Sequence, residues 1–238
     1  MVNGVTKTFP HSFGIGRSNA SKEINHAKLM GEKNIGPKVH RTTKTLWKST
    51  MIMNKMNGTV MNARRKKIEL SKGDMKKIIK LVLKMHKEGY YHGNMWTNKV
   101  MWKQLEDGKN FKLVGFKLMD KIKGKVDYKD VLSFIKSGPD KWENFGNYKS
   151  DILSLFRLLR FTMNNNNNNN NSNSDFYYDL MKQNEHMYKF SKWFRETVEA
   201  EVKNLNNKNK KRNNNNNNNL NNFRIRDSNR KRNNNNNN

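Results

Sequence analysis

The sequence predicts an α+β fold whose second half is mainly helical, and three observations carry that prediction. Ser71-Lys72-Gly73-Asp74 has the S-x-x-D form of a capping box, and Met75, Ile78, Ile79, Val82, Met85 and His86 follow it at helical spacing, with lysines between them. Val100–Leu105 and Asn110–Val114 flank Glu106-Asp107-Gly108-Lys109, and Asp-Gly between two strand-like runs is a strong hairpin signal. From Ser150 to Phe161, Ile152, Leu153, Leu155, Phe156, Leu158 and Leu159 cover so much of a helix's circumference that this segment is expected deep in the core.

In chain order, residues 20–32 read as a short helix ending at Gly31. Lys38–Leu46 and Thr50–Met53 read as an antiparallel strand pair. The capped helix over 72–88 ends at Glu88-Gly89, as a glycine past the last turn predicts. After the hairpin and the apolar helix, Asn164–Asn171 with Ser172-Asn173-Ser174 has nothing to bury and is expected as an inflated surface loop, which chain entropy tolerates. A third long helix is expected from about Phe176 to Val202, through Tyr177, Leu180, Met181, Met187, Phe190, Trp193, Phe194 and Val198. Residues 206–238 alternate asparagine runs with clusters such as Lys210-Lys211-Arg212 and Arg230-Lys231-Arg232, and are expected as a disordered tail.

At 238 residues the chain has room for one domain with tails. A net charge of +28 would suit an acidic partner, with nucleic acid reached through the basic tail, but a lysine and asparagine excess with only three prolines is also what an A/T-rich coding sequence leaves on solvated faces. The second reading is preferred. With no cysteine, disulfides, thiolate metal sites and cysteine nucleophiles are excluded. The absence of a long apolar run predicts an intracellular protein, cytoplasmic or nuclear, with no membrane partner; no feature sets its oligomeric state.

The centre of the chain carries the functional signal. His86-Lys-Glu-Gly-Tyr-Tyr-His92-Gly93-Asn94 follows the capped helix, the hairpin follows that loop, and Val114-Gly115-Phe116-Lys117 follows the hairpin. This order resembles the catalytic half of the protein-kinase-like superfamily. There, a loop reading His-x-Asp or His-Gly-Asp supplies the carboxylate that accepts the substrate's hydroxyl proton. An amide five residues on holds Mg²⁺, and Asp-Phe-Gly after the hairpin coordinates the metal. The resemblance extends from about Glu23 to Phe161. Glu23-Ile-Asn-His-Ala-Lys-Leu-Met-Gly resembles the helix whose glutamate pairs with a phosphate-binding lysine, and Asn34-Ile-Gly-Pro-Lys-Val39 the turn into the next strand. Ile52 to Thr59 resembles the strand and hinge over which adenine sits, giving Asn54, Lys55 and Met56 as hinge residues. Lys149-Ser150-Asp151 resembles the start of the helix whose aspartate holds the catalytic loop's backbone.

The resemblance implies a reduced, β-rich N-terminal lobe over 1–56, a helical C-terminal lobe over 57–205 and the tail over 206–238. It also implies that the chemistry has been stripped from the site. Asn94 stands where the proton-accepting aspartate belongs, and an amide has no basic lone pair at neutral pH. Lys99 takes the metal-binding amide position and Gly115 the metal-binding aspartate position, so no metal ligand is expected; Asn98 could substitute if the loop slips by one residue, while Asp120 lies too far along. Lys7, sixteen residues before Glu23, suits the lysine–glutamate pair but leaves no room for a glycine-rich hairpin before it; alternatively Gly14-Ile15-Gly16 is a remnant of that hairpin, leaving only Lys22 between it and Glu23. The implied protein is catalytically inactive or impaired and acts by binding another protein. The alternatives are an active, divergent Ser/Thr kinase using ATP and Mg²⁺, and a basic nucleic-acid binder.

Other polar and aromatic residues resolve toward ordinary roles. His86 and His92 are expected to support the loop, and His11, His26, His40 and His186 lack metal-ligand spacing. Trp47, Trp96, Trp102, Trp142 and Trp193 are too scattered for a base-stacking platform. Arg64-Arg65-Lys66-Lys67 reads as a solvated loop.

Overall fold

The computed structural model describes residues 4–11, 15–65, 68–95, 97–136, 145–163 and 185–207. Gly14, Trp96, Trp142, residues 164–174 expected as a loop, residues 176–184 expected in the third long helix and the residues from 208 onward expected as a tail lie outside them, as do the side chains of 63–67. The described residues fall into two units divided between Thr197 and Val198. Among residues 198–207, which belong to the second unit, the chain is helical.

The first unit is α+β. It begins with strand β1 (Gly4–Pro10), helix α1 (Ile15–Glu32), β2 (Val39–Lys44) and β3 (Lys48–Asn54). The three strands form an antiparallel sheet in the order β1-β3-β2, with Lys7 opposite Met51 and Thr43 opposite Thr50. On β3, Ser49, Met51 and Met53 are buried while their neighbours are more exposed, the period of two that places one face of a sheet on a core. That face meets α1, whose Ala20, Ile24, Ala27 and Met30 are buried at helical spacing. Helix α1 starts five residues earlier than expected, at Ile15, so Gly16 belongs to a helix.

Short β4 (Gly58–Thr59) and α2 (Val60–Arg65) lead to α3 (Lys72–Lys87). The capping box is formed: Ser71 Oγ accepts from Asp74 N at 3.0 Å, and Asp74 Oδ2 accepts from Ser71 N at 3.2 Å. After β5 (Tyr90–Tyr91) and a 3-10 turn at Thr97–Lys99, β6 (Val100–Leu105) and β7 (Gly108–Leu113) form the hairpin around Glu106-Asp107. A second 3-10 turn, Phe116–Leu118, precedes β8 (Asp120–Lys121), which pairs with β5. Helices α4 (Lys129–Lys136), α5 (Asn147–Met163) and α6 (185–197 within this unit) complete it. The apolar residues of α5 are buried as expected, and the Phe156 ring stacks on Phe190 at a centroid distance of 5.5 Å and meets Phe194 edge to face at 5.3 Å.

Candidate functional site

The loop after α3 is held from beneath by one carboxylate. Asp151, in the second turn of α5 and almost fully buried, accepts from the backbone N–H of His92 through Oδ2 at 2.5 Å and from that of Gly93 through Oδ1 at 3.0 Å. The same Oδ2 receives His86 Nε2–H at 3.2 Å, and the Tyr128 hydroxyl donates to His86 Nδ1 at 3.0 Å. A carboxylate can only accept, so these contacts set the His86 tautomer with its proton on Nε2. Burial, followed by the charges of Tyr148 and Asp151, pushes the Tyr128 hydroxyl well above the usual phenol range, so it stays a donor. Gly93 turns the loop with φ of 73°, and a Cβ there would lie 2.7 Å from the Leu118 carbonyl oxygen, so this position requires glycine.

His92 points to the hairpin side of the loop. Its Nε2–H donates to Val114 O at 2.9 Å, and its ring lies 5.4 Å from that of Phe116. Nδ1 is buried and has no partner among the described residues. Burial pushes the imidazole below its ordinary value, Lys99 adds to that, and the Asp151 charge and the Val114 carbonyl oppose it. The ring is therefore neutral at pH 7 and acts as a strut between loop and hairpin.

Across the sheet, Lys7 and Glu23 meet. Lys7 sits on the face of β1 beside Met51, and its Nζ lies 2.5 Å from Glu23 Oε1 on α1. The Glu23 side chain is 9% exposed and the Lys7 side chain 41%, so a buried carboxylate is reached by an ammonium with one side in water. Lys22 is exposed, and Gly16 is helical, so the arrangement pairs Lys7, not Lys22, with Glu23. Helix α1 is tied to the second 3-10 turn by His26 Nδ1–H donating to Phe116 O at 3.0 Å.

Asn54 ends β3, where its N–H donates to Lys38 O at 3.0 Å and its side-chain oxygen accepts from His40 Nε2 at 2.5 Å. Lys55 is exposed and Met56 half-buried, and Asn57 N–H then donates to Trp102 O at 2.9 Å. Residues 54–57 thus pass from the first sheet to the hairpin. They are tied at both ends, as a connection between two layers must be.

Lys99 and Gly115 are brought together. Val114 N–H donates to Lys99 O at 2.9 Å, and a Cβ on Gly115 would lie 3.0 Å from Lys99 Cδ and 3.2 Å from its Nζ. Gly115 has φ of 78°, a conformation that aspartate and asparagine adopt more readily than most side chains. Asn94 is half-buried two residues after His92, Asn98 is exposed, and Asp120 is exposed on β8. Among the described residues no group of three His, Asp or Glu side chains is placed to hold a metal ion.

No protein-family model matches the chain, and no curated protein matches it in sequence. His86 and Asp151 were both singled out in the sequence as supports of the loop; what sequence reasoning missed is Tyr128, 42 residues after His86, as a third member of that network, and the His26–Phe116 contact, neither of which has a local signal.

Proposed function

We propose that the chain is a degenerate member of the protein-kinase-like superfamily, with a reduced N-terminal lobe, that has lost phosphoryl transfer and acts by binding another protein. What supports this reading is one juxtaposition: the loop at His92-Gly93 is anchored by Asp151, while the position that should offer a metal-binding carboxylate is Gly115, with the Lys99 ammonium against it. Metal-bridged phosphates need fixed anions on the protein side, and an ammonium there repels the metal. Asn94 removes the base as well, so neither the proton nor the cation is served.

A rival reading, an active divergent Ser/Thr kinase, is favoured by the Lys7–Glu23 pair, because positioning supplies much of phosphoryl-transfer catalysis. The two are separated by incubating the purified chain with radiolabelled ATP, Mg²⁺ and a generic protein substrate, alongside a thermal-shift titration. The proposal expects no transfer and no Mg²⁺-dependent shift. Transfer that disappears in Lys7→Met or Asn94→Ala overturns it in favour of the rival.

A further inference from the structure

Away from that loop, α3 and the β6–β7 hairpin enclose a groove of about 380 Å³ lined by five lysines: Lys77, Lys80, Lys84, Lys109 and Lys112. Among the described residues, Asp107 is the single carboxylate on its lining. Lysines brought this close ordinarily meet acids or spread into water. Here three of them are held by carbonyl groups instead. Lys77 Nζ donates to Lys109 O at 3.0 Å, Lys84 Nζ to Lys33 O at 2.6 Å, and Lys112 Nζ to Asn34 O at 3.1 Å and to the Asn34 side-chain oxygen. A carbonyl fixes an ammonium in place without neutralising it, and each ammonium has three N–H donors to satisfy. Lys109 alone of these four also reaches a carboxylate, Asp74 at 3.2 Å. Burial, and then the charge of Lys84, push Lys112 below its ordinary value, so the groove holds positive charge that a bound anion would relieve.

The remainder of the lining selects the kind of anion. Leu81, Leu105 and Phe111 give it an apolar component, and Leu105 is 39% exposed at the groove's rim. The Phe111 ring is buried, so among the described residues the groove offers no aromatic face on which a nucleobase could stack. Fixed ammonium groups beside an exposed leucine match a peptide that alternates acidic and apolar side chains.

We propose that this groove is the docking site for an acidic, leucine-bearing segment of a protein partner; the inference rests on the protein-binding function above and specifies its chemistry. The test measures fluorescence anisotropy of a short fluorescein-labelled peptide of glutamate pairs alternating with leucines, titrated with the full chain at about 0.15 M salt. Binding is expected, and the double variant Lys77→Met, Lys112→Met is expected to weaken it roughly tenfold or more, while Lys28→Met, Lys38→Met, which removes the same charge elsewhere, weakens it less than about twofold. Leu105→Ala alters only a rim side chain and is expected to weaken binding about threefold or more, which decides the matter if the double variant does not fold. No binding by the native chain, equal weakening by both lysine pairs, an unchanged Leu105→Ala, or a single-stranded RNA that binds more tightly and depends on the same two lysines overturns the proposal. None of these variants touches the ATP assay above, so failure of the groove leaves the loss of phosphoryl transfer standing, and the reverse holds too.

Discussion

Two oxygens of Asp151 take three hydrogen bonds, two of them from the backbone N–H groups of His92 and Gly93. Asp151→Ala strands those donors in the interior, and at about 1–3 kcal/mol for each the expected loss is roughly 3 kcal/mol, read as a lower urea midpoint. Asp151→Asn keeps one acceptor oxygen and should lose about half as much. His92 gives a pH-dependent counterpart. Its folded-state value lies below its ordinary 6.5, so the unfolded chain binds a proton first as pH falls. Its contribution to stability is complete above that ordinary value, and declines as pH drops below it until the buried ring itself protonates. His92→Gln should therefore flatten the fall in stability between about pH 6.5 and pH 5, as followed by thermal melts across that range.

Helix α3 shows how far local chemistry reaches. Its start was legible because Ser71 and Asp74 satisfy each other's backbone donors within four residues, and Ser71→Ala should cost about 1 kcal/mol in urea unfolding with little change in slope. The β6–β7 hairpin was legible for the same reason: the turn and the alternation lie in one short window. Strand β1 was not read at all. It lies at one end of its sheet and is mostly exposed, so Gly4–Pro10 carries no buried stripe to betray it. The start of α1 was placed late because its first turn has no acidic residue, and helices α2 and α4, at six and eight residues, are too short for periodicity to identify. Loop geometry also sits at this scale: Gly93→Ala forces a Cβ onto the Leu118 carbonyl in a left-handed conformation, and should lower the melting temperature by several degrees, where Gly89→Ala, left-handed but with open space, loses less.

At the scale of the first unit, a buried aspartate, a buried glutamate reached by a half-exposed lysine, and a histidine strut hold one loop, one helix and one hairpin in fixed relation. The candidate site was legible in part because its members recur at readable spacing: Lys7 before Glu23, and Gly115 after the hairpin that follows Asn94. Contacts across the fold, such as Lys99 against Gly115, depend on how the hairpin folds back on the loop and leave no trace in local sequence. No helix among the described residues is long and apolar enough to cross a membrane. We propose that Asn94, Lys99 and Gly115 stand where a kinase-type site would carry its base and its two metal ligands. This placement is tested most directly by comparing Mg²⁺-dependent ATP affinity, by calorimetry, between the native chain and the triple variant Asn94→Asp, Lys99→Asn, Gly115→Asp. Binding too weak to measure is expected in the native chain, with a Mg²⁺-dependent gain of tenfold or more, about 1.4 kcal/mol, in the variant. A native chain that already binds Mg²⁺–ATP tightly, or a folded triple variant that gains nothing, would contradict it.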